Sequence, residues 1–318
     1  MIYPKQIILE SSSRCNLNCE GCYRTQGIVS NTDMSFALFK KIVDTLHWKP
    51  LICVTSHGEA LMNPELPEML AYAAEKGHRI DFTTNGTLER LEVLDVIFQH
   101  PQEIHRVIVS LDGLDVRTRS IYRKLSFGQV EKPLLFIKEL QRRKSLLPEA
   151  SRETFDIAVS MVQNGQDWEE QEAFIYYWLT EGDADLVLVR RFLSSDAQRE
   201  PYPKRSLCHF LDGWIATVDA NGYMRMCDRY MQTHFVRGGD LNTGNLLEVF
   251  NGSYLQKYRD SYPLEVCQTC PQAYSGGGLF GEVTFKSTLF HCYYRMDYFG
   301  SIYSKKDIKG GVSWQKPE

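Results

Sequence analysis

The sequence predicts an α/β fold, a parallel sheet rolled into an incomplete barrel of six strand–helix units, with a smaller unit appended. Three observations carry this. Six short apolar, β-branched runs recur at residues 6–10, 51–56, 79–84, 106–111, 155–162 and 185–191. Segments of helical period lie between them at 35–45, 64–76, 88–98, 130–143 and 168–179. Such alternation specifies parallel strands joined by helical crossovers, and it stops after Leu193.

Taken in order, the first strand (6–10) feeds a cysteine-rich loop, and the second ends on Ser56-His57-Gly58-Glu59-Ala60. The third closes on Thr83-Thr84-Asn85-Gly86 and the fourth on Ser110-Leu111-Asp112-Gly113. The sixth, Leu186-Val187-Leu188-Val189-Arg190-Arg191, ends on two arginines that strand alternation sends to opposite faces. Chemistry in such barrels sits at the C-terminal strand ends, where all these polar groups fall. Residues 194–205 are polar and Pro-punctuated, a linker. Apolar runs at 214–218 and 223–227 flank Asn221-Gly222, a strong hairpin signal. A helical segment near 247–259 precedes Cys267-Gln268-Thr269-Cys270-Pro271, and Gly276-Gly277-Gly278 makes a flexible bend. The expected domains are 1–195, 196–275 and an extension over 276–318.

A net charge of -4 with 24% charged residues offers no basic surface for nucleic acid. No segment approaches the roughly 20 apolar residues that span a bilayer, and the start lacks a signal peptide's apolar region, so a cytoplasmic protein without membrane contact is expected. Nine cysteines in a reducing compartment point to metal binding rather than disulfides.

Cys15, Cys19 and Cys22 form a C-x3-C-x2-C run on one loop. Three thiolates leave one iron of a four-iron cluster open to a small molecule, which makes such a site reactive. The alternative is a structural zinc knuckle. Zinc usually recruits a fourth Cys or His nearby, and the next cysteine, Cys53, falls within a strand. Glu59 can accept a charge-assisted hydrogen bond from an ammonium or be a solvated turn residue. Gly58 lets backbone approach closely. His57 is as readily a structural turn residue as a site group. Ser110 and Asn85 can hydrogen-bond a ribose or simply cap a helix. Arg190 and Arg191 can clamp a carboxylate from inside the barrel or sit in solvent at the rim.

The cysteine run resembles the signature of the radical S-adenosylmethionine (SAM) enzymes, with Gly21 where many members carry an aromatic residue and Tyr23 after the third cysteine. The resemblance implies a partial (β/α)6 TIM-like barrel, a [4Fe-4S] cluster on Cys15, Cys19 and Cys22, and SAM chelated to the open iron. One electron, from a flavodoxin- or ferredoxin-type donor, then cleaves SAM to a 5′-deoxyadenosyl radical. The stretch 56–60 resembles the family's Gly-Gly-Glu-Pro motif, so Gly58 and Glu59, with Tyr23, Asn85 and Ser110, are the expected SAM contacts.

Cys208, Cys227, Cys267 and Cys270 bracket a hairpin and a helix and form a compact metal clip. Their layout resembles the half-length SPASM, or twitch, domain of some radical SAM enzymes, a small α+β unit holding an auxiliary [4Fe-4S] cluster. Cys292 competes for a ligand position, as in the molybdenum-cofactor cyclase branch, and is otherwise a hydrogen donor or a buried thiol. The barrel-plus-twitch order resembles most the aminocyclitol dehydrogenases of aminoglycoside biosynthesis, including an Arg where Arg191 stands. A small polar substrate oxidised at an alcohol is therefore expected, and the first strand's start within ten residues of Met1 leaves no room for a peptide-recognition domain. Peptide maturation or epimerisation is the alternative reaction. A non-catalytic iron–sulfur carrier or zinc scaffold is the alternative class.

Overall fold

The computed structural model describes residues 1–19, 22, 24, 30–55, 57–163, 168–191, 210, 215–226, 239–261 and 300–305. The expected site residues Tyr23, Cys208, Cys227, Cys267, Cys270 and Cys292 lie outside them.

Six parallel strands are joined by helices: β1 (Gln6–Leu9), α1 (Phe36–Asp44), β2 (Leu51–Val54), α2 (Leu66–Glu75), β3 (Ile80–Thr84), α3 (Leu91–Gln99), β4 (Ile104–Ser110), α4 (Val116–Arg123), α5 (Lys132–Ser145), α6 (Glu149–Thr154), β5 (Asp156–Gln163), α7 (Trp168–Thr180) and β6 (Leu186–Arg191). Their order in the sheet is that of the sequence, so each crossover moves one strand in the same direction. That is the winding of a β/α barrel; a doubly wound sheet reverses.

The two faces differ as strand alternation demands. Ile7, Leu9, Ile52, Val54, Ile80, Phe82, Val107, Val109, Val187 and Val189 join helix residues such as Phe39, Leu70, Ile97 and Ile137 in the main core. The alternate residues form smaller clusters on the other face, Ile108, Ala158, Leu186 and Leu188 in one, Ile8, Cys53 and Ile215 in the other. Leu51 packs against both, which requires the sheet to curl.

Closure is not between β1 and β6. After β6 come β7 (Ile215–Val218), β8 (Tyr223–Arg225), β9 (Gly239–Asp240), α8 (Leu246–Phe250), α9 (Ser253–Asp260) and β10 (Gly300–Ser304). β7 lies parallel to β1, with Gln6 opposite Ile215 and Leu9 opposite Val218, and carries β8 and β9 antiparallel. β10 runs antiparallel along β6. The hairpin expected in an appended unit therefore continues the barrel's own sheet. Gly222, at φ 84°, makes its turn.

Candidate active site at the strand ends

The cysteine loop follows β1 directly and is seated on the loop after β2. Gly58 makes this possible: a Cβ there would lie 2.0 Å from the Ser12 carbonyl oxygen and 2.6 Å from that of Arg14. With no side chain, Glu59 N–H reaches the Arg14 carbonyl at 2.7 Å. The close approach is thus to the cysteine loop's own backbone. Arg14 is pinned in turn, its Nε donating to Asp33 Oδ1 at 3.0 Å and a guanidinium nitrogen to the Met62 carbonyl at 2.7 Å.

On this platform Cys15 and Cys19 are half-buried and pack with Leu17, Leu125 and Val130. Cys15 Sγ accepts from Leu17 N–H at 3.4 Å and Asn85 Nδ2 at 3.8 Å; Cys19 Sγ accepts from Arg123 Nη1 at 3.9 Å. Cys22 N–H donates to the Cys19 carbonyl at 3.3 Å, turning the third cysteine back toward the second. Burial raises the Cys15 thiol and pushes Cys19 up to about 11, Arg123 opposing the rise at Cys19, so metal binding must displace protons. Among the described residues no three His, Cys, Asp or Glu side chains converge on a single ion. A cluster takes one thiolate per iron, and of the three spread sulfurs those of Cys15 and Cys19 each accept from an N–H donor.

Glu59 is 2% exposed. Its Oε1 accepts from Thr84 Oγ1 at 2.7 Å and Leu61 N–H at 3.1 Å, its Oε2 from Asn85 N–H at 2.6 Å. Burial nevertheless raises its pKa against these donors. Asn85 Nδ2 also donates to Asn16 Oδ1 at 2.9 Å, and its Oδ1 accepts from Thr87 N–H at 2.9 Å, so this side chain braces the cysteine loop. Ser110 is hydrogen-bonded to Ser160 Oγ at 3.2 Å across β4 and β5. Arg191 ends β6 opposite Gln163.

One pair carries no motif in the sequence. Arg123, on α4, is 8% exposed, and its Nε lies 3.0 Å from Asp112 Oδ2. Asp112 occupies the left-handed region at φ 61°, where Asp is among the few tolerated residues. There its Oδ1 accepts from Val162 N–H at 2.7 Å. Burial alone would disfavour the guanidinium, but Asp112, then Cys19, Glu59 and Cys15, hold its pKa above the ordinary value.

Residues 9–173 match the radical SAM superfamily. This chain belongs to that superfamily. Residues 208–271 match SPASM, an iron–sulfur cluster-binding domain. As a SPASM-type radical SAM enzyme it uses SAM, the [4Fe-4S] cluster that binds SAM, and an auxiliary iron–sulfur cluster. Over 99% of its length the chain is 23% identical to the antilisterial bacteriocin subtilosin biosynthesis protein AlbA of Bacillus subtilis, covering 72% of that protein. Its fold is similar to that of Streptococcus suis SuiB bound to S-adenosylmethionine (TM-score 0.64, 13% identity, 84% of this chain and 69% of that one). It is also similar to that of BtrN in complex with AdoMet and 2-DOIA (TM-score 0.51, 14% identity, 90% and 96%). Among the described residues no helix is long and apolar enough to cross a membrane.

Of the expected site residues, the structure brings together Cys15, Cys19, Cys22, Gly58, Glu59 and Asn85, and places Ser110 at the end of β4 and Arg191 at the end of β6, on either side of β5. Asp112 and Arg123 are the site groups that sequence reasoning passed over. The available signal was the Asp before Gly113 and a short cationic run, Val116 to Arg123, following it.

Proposed function

We propose that Cys15, Cys19 and Cys22 hold the SAM-binding cluster and that this enzyme abstracts a hydrogen atom from a small polar substrate, oxidising an alcohol of a sugar or aminocyclitol type. The observation that carries the reading is the meeting of the cysteine loop, buried Glu59 and the Asp112–Arg123 pair at the C-terminal ends of β1 to β4. Cluster and SAM, when bound, supply a carbon radical able to take hydrogen from a C–H bond. The chain's own residues do the rest. Gly58 and Glu59 fix the cysteine loop on the barrel. Glu59, short of a full set of partners for its four or so lone-pair sites, accepts from the SAM ammonium. Ser110 and Ser160 present hydroxyls to a ribose or substrate. Arg191, at the end of β6, is the proposed partner of a substrate oxygen. Cys208, Cys227, Cys267 and Cys270 would hold the auxiliary cluster, the acceptor for the second electron of the oxidation once the hydroxyl proton leaves to solvent, with Cys292 in reserve. We take 1–195 as the barrel and 196–275 as the auxiliary unit, although β7 joins their sheets. The reductant is a flavodoxin- or ferredoxin-type protein, and the setting is the cytoplasm.

A second reading, modification of a peptide, is favoured by the likeness to AlbA over 99% of the chain. Anaerobic reconstitution with iron counting, then SAM and dithionite, tests the common ground: 5′-deoxyadenosine should form. Replacing Cys15, Cys19 and Cys22 by Ala should abolish it yet leave about four irons per chain. Loss of all iron would contradict two separate sites. Deuterium transfer into 5′-deoxyadenosine from labelled aminocyclitols, as against labelled peptides, decides the substrate. Label arriving only from peptides overturns the alcohol reading.

A further inference from the structure

Helix α4 is built against economy. Its inward positions, Arg119 and Arg123, are cations where leucines would pack, and buried ion pairs rarely add stability over apolar residues of similar size. Arg123 is nevertheless held in place, by an ion pair and by the geometry of the helix that carries it. Asp112 Oδ2 faces its Nε at 3.0 Å in an ion pair, and Asp112 is itself tied to β5 through Val162 N–H at 2.7 Å and a longer bond from its own N–H to the Ser160 carbonyl at 3.3 Å. Gly113 lets the start of α4 come close: a Cβ there would lie 2.5 Å from Thr118 Cβ. The helix then stops at once on Lys124, at φ 50°. These constraints aim Arg123 Nη1 at Cys19 Sγ, 3.9 Å away.

We infer that Arg123, locked by Asp112, is a positioning residue that sets the reduction potential of the SAM-binding cluster through its charge on the Cys19 arm. The inference rests on the ligand assignment proposed above. A four-iron cluster on three thiolates is anionic, and reduction adds one more negative charge at a half-buried site. A fixed cation beside one thiolate favours the reduced form, while the nearby Asp112 carboxylate opposes it. Neither residue needs to touch substrate for this.

The two members of the pair should therefore have opposite effects. In protein reconstituted without SAM, the reduced cluster's paramagnetic resonance signal is titrated against potential, and the signal that changes when SAM is then added identifies the open-iron site. Arg123→Gln should lower the reduced-to-oxidised ratio at fixed potential about tenfold, a downward shift of about 59 mV for one electron. Asp112→Asn should shift it upward, and Arg123→Lys, keeping the charge, should lie near wild type. Should Arg123→Gln fail to load a cluster, Asp112→Asn decides: an upward shift supports the inference and no shift overturns it. Shifts of the same sign in Arg123→Gln and Asp112→Asn would mean lost packing and overturn it. So would unchanged potential with weakened SAM binding in Arg123→Gln, which would assign the guanidinium to the SAM carboxylate. The ligand assignment fails separately, if the triple cysteine-to-alanine protein keeps a SAM-responsive signal.

Discussion

Gly58 and Gly128 are both loop glycines in the sequence, and only the structure separates them. A Cβ on Gly58 strikes two backbone carbonyls that the cysteine loop cannot move without losing the Glu59 to Arg14 bond. Gly128 meets nothing within 4 Å. Gly58→Ala should cost on the order of 3 kcal/mol or more and lower iron loading, while Gly128→Ala should change stability by less than about 1 kcal/mol. Thermal melts with iron counts check this, and a Gly58→Ala protein that melts and loads like wild type would contradict it. Glu59 gives a second test. Gln keeps one of the two acceptor oxygens, turns the other into an NH2 and removes the charge, so Glu59→Gln should retain the cluster's absorbance and weaken SAM binding roughly tenfold, on the order of 1.4 kcal/mol. Unchanged SAM affinity by equilibrium binding would remove Glu59 from the ligand set.

At the scale of elements, α2 shows how a helix end is written. Gly77, at φ 72°, donates to the Ala74 carbonyl at 2.7 Å and His78 N–H to the Ala73 carbonyl at 3.1 Å, a Schellman closure that needs a left-handed residue. Gly77→Ala should cost about 1 kcal/mol, read from denaturant midpoints. His78 is 1% exposed beyond this turn. Its pKa is lowered to about 4 by burial and by the Lys49 charge, against a bond to the Pro50 carbonyl. Since the unfolded chain protonates this ring near pH 6.5, stability should fall between about pH 6.5 and 4, by on the order of 1–2 kcal/mol allowing for solvent screening. His78→Gln should flatten that slope in melts taken across the window, and an unaltered slope would refute it. The five barrel helices legible in the sequence are those whose inward faces are apolar, such as α1 with Phe39, Ile42 and Val43. α4 was not legible because its inward face is Arg119 and Arg123. Hydrophobic periodicity cannot report a helix that buries charge, and here that helix carries part of the site.

For the whole molecule, the six barrel strands and the strand-end motifs were readable because each parallel strand is buried on both faces and so stands out as a continuous apolar run. The pairing at the edges was not readable, although the β7–β8 hairpin itself was. Nothing in Gly300-Ser301-Ile302-Tyr303-Ser304 separates it from an ordinary loop, and its place is set by the partner it covers. That partner is the outer edge of β6, where Gly300 to Ser304 lie opposite Arg190 to Leu186, continued by Lys305 N–H on the Asp185 carbonyl at 3.0 Å. On the far side β7 covers β1 in the same way. An uncovered edge next to the apolar run Leu186 to Val189 would present unpaired N–H and C=O groups to any neighbouring chain. The open barrel thus depends on two strands that belong to no β/α unit, one of them near the chain's end. Ending the chain after residue 299 should remove roughly 3–5 kcal/mol of edge pairing, at about 1 kcal/mol per hydrogen bond. The truncated protein should melt several degrees lower and associate on a sizing column, while the cysteine loop, which follows β1 at the far side of the six strands from β10, should still load iron at low temperature. A truncated protein that is monodisperse and melts with the full chain would show that β6 is held without its cover.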